Sequence, residues 1–317
     1  MAEKKTGSPN SIVKGIFRTR VVANTPLCRE HRRLTLEARD FPEATPGQFL
    51  QIRCSAPDDA LGSGPVLIRR PFSIGGLERN GDVSRIAIML RVVGQGTRWL
   101  AGLNEGDEVE VLGPLGRPFR IDPDRPLAWL VGGGVGLPPI LWMAEFVHRA
   151  DKQAIAFCGA RSADLLPLRL MPKFDRSGCE PQPGVEEFDR WGIPTLISTD
   201  DGSLGAVGRI PEQFAAYLDA HPEQRAQAVV YTCGPEPMMR AVAEACDARS
   251  VTCQVSMERM MACGMGTCQS CVTRIRDDAD PEGWTYRLCC TDGPVFFSHQ
   301  ILWDEVSPES EADGCLY

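Results

Sequence analysis

From Gly15 to about Asp122 the apolar residues fall in short runs separated by Pro, Gly and Asp turns. Ile16-Phe17, Arg33-Leu34-Thr35-Leu36, Phe49-Leu50-Gln51-Ile52, Arg85-Ile86-Ala87-Ile88-Met89-Leu90 and Glu108-Val109-Glu110-Val111 each predict a strand. Several strands at this spacing predict a β-barrel or sandwich. The pattern then changes. Leu127-Ala128-Trp129-Leu130-Val131 is a continuous apolar run that feeds a glycine cluster and an apolar helix to about Ala150. Next come Ala154 to Phe157, a helix-like stretch, Thr195 to Ser198 and a helix near Pro211 to Ala220. Val229 to Thr232 is followed by a helix from about Glu236 to Ala248. Buried strands alternating with helices predict a parallel sheet covered on both faces. Asp175 to Gly192, rich in Pro, Gly and Glu, predicts a surface loop, and a cysteine-rich tail starts near Val251.

The length of 317 residues exceeds what one core supports and predicts two or three domains. A net charge of -8 argues against a nucleic-acid surface, because phosphate binding needs an excess of Lys and Arg. Met1 to Asn10 has no apolar stretch after it, so no secretory signal is expected. No apolar run is long enough for a membrane span, and a cytoplasmic protein is expected.

Cysteine sharpens this picture. Thirteen cysteines in so long a chain point to metal or redox chemistry in a reducing compartment. Cys28, Cys54, Cys158, Cys179, Cys246, Cys253 and Cys315 are scattered and read as small buried or incidental residues. Cys263, Cys268 and Cys271 instead have the spacing C-x4-C-x2-C, with a fourth ligand at Cys289 or Cys290. That spacing is the one found in plant-type [2Fe–2S] ferredoxins. Gly264 and Gly266 suit a tight loop around an inorganic core. A four-cysteine zinc site is the alternative, although such sites use two spaced pairs, and here the second pair is adjacent.

Gly132-Gly133-Gly134-Val135-Gly136 follows the strand ending at Val131 and precedes an apolar helix. Strand, glycine turn and helix N-terminus form an anion site that suits a pyrophosphate. Pro138-Pro139 stands where a third motif glycine belongs, a place a first helical turn tolerates. Cys233-Gly234-Pro235 sits at the carboxyl end of another apolar run, where open parallel sheets bind ligands. Arg70-Pro71-Phe72-Ser73 supplies a cation, a ring and a hydroxyl, with Arg70 and Phe72 expected on one strand face and Ser73 on the other. Read singly, Gly94-Gln95-Gly96-Thr97 and Gly113-Pro114-Leu115-Gly116 are plain turns.

In this order the segments resemble the ferredoxin–NADP reductase superfamily over nearly the whole chain. Within it they are most similar to the iron–sulfur flavoprotein (electron-transfer) subunits of two-subunit, NAD-linked dihydroorotate dehydrogenase. The resemblance rests on RPFS at 70–73, RVVGQGT at 91–97, GPLGRPF at 113–119, VGGGVGLPPI at 131–140 and GARSADL at 159–165. It continues with TDDGSLGAVG at 199–208 and TCGPEPMM at 232–239. Its most specific pieces are ERMMACGMGTCQSCV at 258–272 and CTDGPVF at 290–296. The family's last cluster ligand directly precedes such a run, which selects Cys290 over Cys289.

The resemblance implies a multidomain β plus α/β protein. Its parts would be an antiparallel flavin-binding β-barrel at 10–123, a parallel-sheet NAD-binding domain at 124–250 and a small C-terminal [2Fe–2S] domain at 251–306. Arg70 would bind the FAD phosphates within Arg70-Pro71-Phe72-Ser73, with Ser73 near the flavin N5. Gly96 and Thr97, after Gly94, would touch the pyrophosphate. Gly132, Gly133, Gly134 and Gly136 would hold the nicotinamide nucleotide. Cys233, Gly234 and Pro235 would lie near the nicotinamide, and Arg161 would contact the ribose or its phosphate. Cys263, Cys268, Cys271 and Cys290 would hold the cluster. Phe72 departs from the Tyr of many superfamily members, so a phenol hydrogen bond is lost. Cys54 to Leu67 and Asp175 to Gly192 look longer than a minimal member needs; the second is either a partner surface or a neutral insertion.

Hydride transfer moves two electrons, whereas a [2Fe–2S] centre accepts one. A flavin does both, so the order NAD(H), FAD, cluster follows. No acid–base constellation is visible: His31, His148, His221 and His299 lie in unrelated contexts and read as surface residues. No catalytic residue for an organic substrate is therefore assigned, and that chemistry is expected on a partner, dihydroorotate dehydrogenase, in a hetero-oligomer. The alternatives are a diaphorase subunit of a hydrogenase, sulfhydrogenase or transhydrogenase complex, and a redox sensor without nucleotide binding. NAD is expected over NADP because Arg161 is the only clear cation for a 2′-phosphate.

Overall fold

The structure, a computed structural model, describes residues 14–60 and 66–303. Met1 to Asn10, Cys315, residues 10–13 and 304–306 of the outer domains and residues 61–65 of the Cys54 to Leu67 stretch lie outside the described residues.

Six antiparallel strands close a barrel: β1 (Gly15–Cys28), β2 (His31–Arg39), β3 (Phe49–Ile52), β4 (Arg70–Asn80), β5 (Val83–Arg91) and β6 (Glu108–Leu115). Their order around the barrel is β1-β2-β5-β4-β3-β6. Period-two alternation sends Leu34, Leu36, Ile86, Ile88, Val109 and Val111 inward, where each is at most 1% exposed. A helix, α1 (Gln95–Ala101), covers one end between β5 and β6. Its first turn is the Gly94-Gln95-Gly96-Thr97 segment, so these residues start a helix instead of forming an isolated turn.

The second body alternates strand and helix, as the apolar runs predict. It comprises β7 (Leu127–Gly133), α2 (Leu137–Arg149), β8 (Gln153–Ala160), α3 (Glu186–Asp189), β9 (Thr195–Thr199) and β10 (Ala206–Val207). It continues with α4 (Ile210–Ala220), β11 (Ala228–Cys233), α5 (Glu236–Asp247) and β12 (Thr252–Ser256). The strands run parallel in the order β10-β9-β8-β7-β11-β12. Trp129, Val131 and Val230 pack towards Phe214 of α4 and Val242 of α5, while Leu130, Ala156 and Tyr231 pack towards Ile140 and Ala144 of α2. Trp142 of α2 joins the barrel's own core, so this helix is wedged between the two bodies.

The tail forms β13 (Val272–Arg276), β14 (Trp284–Leu288), β15 (Val295–Phe297) and β16 (Ile301–Leu302). β14, β13 and β16 make a small antiparallel sheet. β15 leaves that group and pairs antiparallel with β12 at the edge of the large sheet.

Two expectations change. The helix-like stretch after Phe157 holds one 3-10 turn at Ala163–Leu165 and the four-residue α3, because Pro167, Pro172, Pro181 and Pro183 interrupt any longer helix. Asp175 to Gly192 is only in part a surface loop: Val185 and Phe188 are buried against α2's core, and Gln182 bridges to Thr195. Among the described residues no helix is long and apolar enough to cross a membrane.

Candidate functional site

A cleft opens where barrel, large sheet and tail meet. Arg70, Pro71, Phe72 and Ser73 all border it, so strand alternation does not divide them. The reason is pairing. Residues 70–73 bond to β3 on one side, but β4 meets β5 only from Ile74 onward. Their other edge is left open to the cleft. Arg70 donates only to the Ile68 and Arg69 carbonyls and has no carboxylate partner among the described residues, whereas neighbouring Arg91 is paired with Glu30 at 2.7 Å. An unpaired guanidinium beside an apolar cleft suits a diphosphate.

Gly94, Gly96 and Thr97 line the same cleft. Thr97 Oγ1 accepts the Val93 and Gly94 N–H groups at 3.0 Å, which fixes the start of α1. A Cβ on Gly96 would meet Cys54 Sγ at 3.1 Å and Arg70 Cγ at 3.4 Å. Cys54, buried beneath, is thus a packing residue, its thiol pushed up to about 11 by burial.

The glycine turn approaches from the opposite side. Gly132 and Gly133 end β7, Gly134 and Gly136 form one tight turn, and α2 starts at Leu137. Gly132 pairs with Cys233 of β11. Val135 and Cys233 reach the cleft wall. Gly132, Gly133, Gly134, Gly136, Gly234 and Pro235 stand behind it at the carboxyl ends of β7 and β11. Arg161 is exposed just past the end of β8, outside the cleft lining.

The cleft also contains residues that the motifs did not single out. Ser256, Met257, Glu258, Arg259 and Met261 complete its floor. Burial pushes the Glu258 carboxyl up to about 7, with the Glu236 charge adding to the effect. Glu236, in the first turn of α5, is ion-paired with Arg259. The Cys233 thiol is raised chiefly by burial. Glu258 falls at the carboxyl end of β12, the signal that locates ligand sites in such sheets. Mixed polarity in Thr252-Cys253-Gln254-Val255-Ser256 hid that strand.

From this floor the chain runs directly into the cysteine loop. Met261 lines the cleft and Cys263 follows two residues later, a chain span of at most about 7 Å. The Met257 N–H donates to the Pro294 carbonyl at 2.9 Å, tying the floor to the segment after Cys290. Cys263 Sγ accepts N–H groups from Met265 and Cys268 at 3.4 Å. Gly264 and Gly266 have φ of +70° and +90°, the left-handed backbone that lets the loop close. Hydrogen bonding from the Ser270 hydroxyl lowers the Cys268 thiol to about 6. Cys271 falls to about 6 by hydrogen bonding with Cys290, whose own proton is held more tightly. Cys290 also feels the charge of Cys263, which links all four thiols electrostatically. Cys289 is fully buried and pushed up to about 12 by burial, whereas Cys290 is raised first by its hydrogen bond with Cys271.

The four cysteines fit an iron–sulfur core: the Cys268 and Cys271 thiols are depressed and backbone N–H groups donate to Cys263 Sγ, features that thiolate ligation uses. Among the described residues no three ligand side chains close on a single-ion site. Of the four histidines, His148 and His299 are exposed. His31 departs from the surface reading: it is 3% exposed, with its basicity lowered by burial. Its Nδ1 lies 2.9 Å from the Arg29 carbonyl, which fits a packing role at the β1–β2 turn.

Two protein families match. The iron–sulfur cluster binding domain of dihydroorotate dehydrogenase B matches residues 258–302, and the oxidoreductase NAD-binding domain matches residues 130–244. The chain is 32% identical over 290 residues to a dihydroorotate dehydrogenase B (NAD(+)) electron transfer subunit of Caldanaerobacter subterraneus, covering 90% of this chain and 98% of that one. The subunit of the same description from Desulforamulus reducens is 31% identical, covering 91% and 99%. Among solved structures, an NADH-dependent reduced ferredoxin-NADP oxidoreductase superposes with a TM-score of 0.69 at 24% identity, covering 90% of each chain. A flavohemoglobin from Malassezia yamatoensis with bound FAD and heme gives 0.55 at 22%, covering 76% of this chain and 58% of that one. These two likenesses show the fold.

Proposed function

The chain belongs to the family of dihydroorotate dehydrogenase B electron-transfer subunits, and from that premise we infer how its residues serve the role. It is an oxidoreductase subunit that moves electrons between NAD(H), FAD and a [2Fe–2S] cluster, to or from the dihydroorotate dehydrogenase catalytic partner of pyrimidine biosynthesis. The two work together in a hetero-oligomer. The flavin, when bound, exchanges electron pairs with the nicotinamide and single electrons with the cluster.

One observation supports the assignment of residues best: the floor of the cleft and the first cluster ligand are two residues apart. We assign Arg70, Gly96 and Thr97 to the flavin diphosphate and Ser73 and Phe72 to its ring system. The glycine turn would hold the nicotinamide nucleotide against Cys233 and Val135, excluding water between the two rings. Arg161, at the end of β8, would meet the adenosine end. Glu258, with its carboxyl near neutrality, would hold or release a proton beside Cys233 at the cleft wall. Cys263, Cys268, Cys271 and Cys290 would ligate the cluster. Residues 10–123, 124–250 and 251–306 would then be the flavin, nucleotide and cluster domains, the last lending β15 to the second. A cytoplasmic location is proposed too, supported by twelve described cysteines that are all free thiols.

Anaerobic purification with and without the partner tests the reading. The isolated chain should carry flavin and two irons per chain and be bleached by NADH. Dihydroorotate should reduce it only once the partner is added. A colourless chain, or one that oxidises dihydroorotate by itself, would overturn it.

A further inference from the structure

Gln51 lies on β3, between Leu50 and Ile52, whose side chains fill the barrel core. Alternation therefore points Gln51 out of the barrel. An outward glutamine normally meets water, yet this one is 0% exposed. It is covered by the cysteine loop: a Cβ on Gly264, the residue after Cys263, would stand 2.5 Å from Gln51 Cγ and 2.9 Å from Nε2. Both amide atoms, Nε2 and Oε1, are buried without a hydrogen-bond partner. A buried amide left unpaired costs about 1–3 kcal/mol, and native proteins rarely tolerate one without a reason. The lid over it is the loop that carries Cys263, whose Sγ is a hydrogen-bond acceptor.

We propose that Gln51 is a positioning and tuning residue for the cluster, its Nε2–H donating to a sulfur of the core or of a ligand thiolate. This rests on the reading of the four cysteines given above. Gln51 also pairs through its backbone with Pro71, within the flavin-lining segment of β4. One strand thus carries the cluster's donor and braces the flavin wall, which fixes the spacing of the two centres. A donor to cluster sulfur favours the more negative, reduced state, so it raises the reduction potential.

The test uses the holo chain and Gln51→Met, which keeps length and apolar volume but has no N–H. Iron and sulfide analysis of the unaltered chain checks the cluster itself, so that reading fails separately from this one. In anaerobic redox titrations the Gln51→Met cluster should have a lower midpoint and altered electron paramagnetic resonance g-values. The flavin midpoint should stay where it was. Stripped of its cluster, the variant should melt no lower than the unaltered chain, because only an unpaired amide has been removed. An unchanged cluster midpoint, or equal shifts at both centres, would overturn the proposal. Should Gln51→Met fail to hold a cluster, Gln51→Leu decides, because it fills the site without an N–H: the cluster should again be lost or its midpoint lowered, and a cluster at the original midpoint refutes the donor.

Discussion

A Cβ on Gly136 would stand 2.4 Å from the carbonyl carbon and oxygen of Cys233. The glycine turn after β7 and the Cys233-Gly234-Pro235 turn after β11 are thus in backbone contact, which no side chain can share. Gly136→Ala must push the two turns apart. Overpacking of this kind costs about 1–3 kcal/mol. The variant should melt several degrees lower, and stopped-flow should show slower bleaching of the flavin by NADH. Unchanged bleaching would show that the turn does not position the nucleotide.

Arg70→Ala removes the cleft's unpaired guanidinium. A hydrogen bond to a charged group contributes about 1.5–3 kcal/mol, so FAD should be held roughly 10- to 100-fold less tightly. Flavin fluorescence released on dilution measures this. The cluster's iron content should not change.

Cys290→Ser and Cys289→Ser separate two adjacent buried thiols, of which Cys290 is hydrogen-bonded with Cys271. The first should lose the cluster's visible absorption and most of its iron while keeping flavin. The second should keep both, since the Cys289 thiol is raised by burial and not by a hydrogen bond to a cluster cysteine. The reverse result would reassign the fourth ligand.

Glu258→Gln should change the pH dependence of stability in the flavin-free chain. Folding raises this carboxyl from its ordinary 4.5 to about 7. A raised carboxyl binds its proton more tightly when folded, so its contribution is fully present below pH 4.5 and is lost as pH rises to about 7. The glutamine has no charge to bury. It should melt like the parent at pH 4.5 and be more stable at pH 8, by about 1–3 kcal/mol. In the holo chain, the pH profile of NADH-driven bleaching should lose its inflection near 7. A parallel shift at every pH would argue against a titrating carboxyl.

Strongly periodic segments were legible beforehand. Leu127 to Val131 and Val229 to Thr232 are apolar on both faces, and only a central parallel strand needs that pattern. The C-x4-C-x2-C spacing of Cys263, Cys268 and Cys271 points to a cluster by itself. Local pattern could not reveal what tertiary contact supplies. β12 mixes polar and apolar residues although it is paired on both sides, with β11 and β15, and β15 is only three residues long. Val185 and Phe188 looked like loop residues because prolines break the helical period around them, although both fill the core under α2. Glu258 opens the 258–272 segment without the segment marking it as functional, and Gln51 lies in no motif. One matters for what burial does to its charge, the other for the loop that lies over it.

The large sheet ends on β15, a strand that the chain reaches only after Cys290, the last cysteine of the cluster set. The C-terminal portion is therefore not an appendage that can be cut away to leave a clean nucleotide-binding module. Trimming the chain ahead of Cys263 would remove the cluster's cysteines and, with β15, strip the outer edge of β12, leaving a row of unanswered amides and carbonyls. Such a bare margin is a template for self-association, so loss of the redox centre and loss of solubility should arrive together.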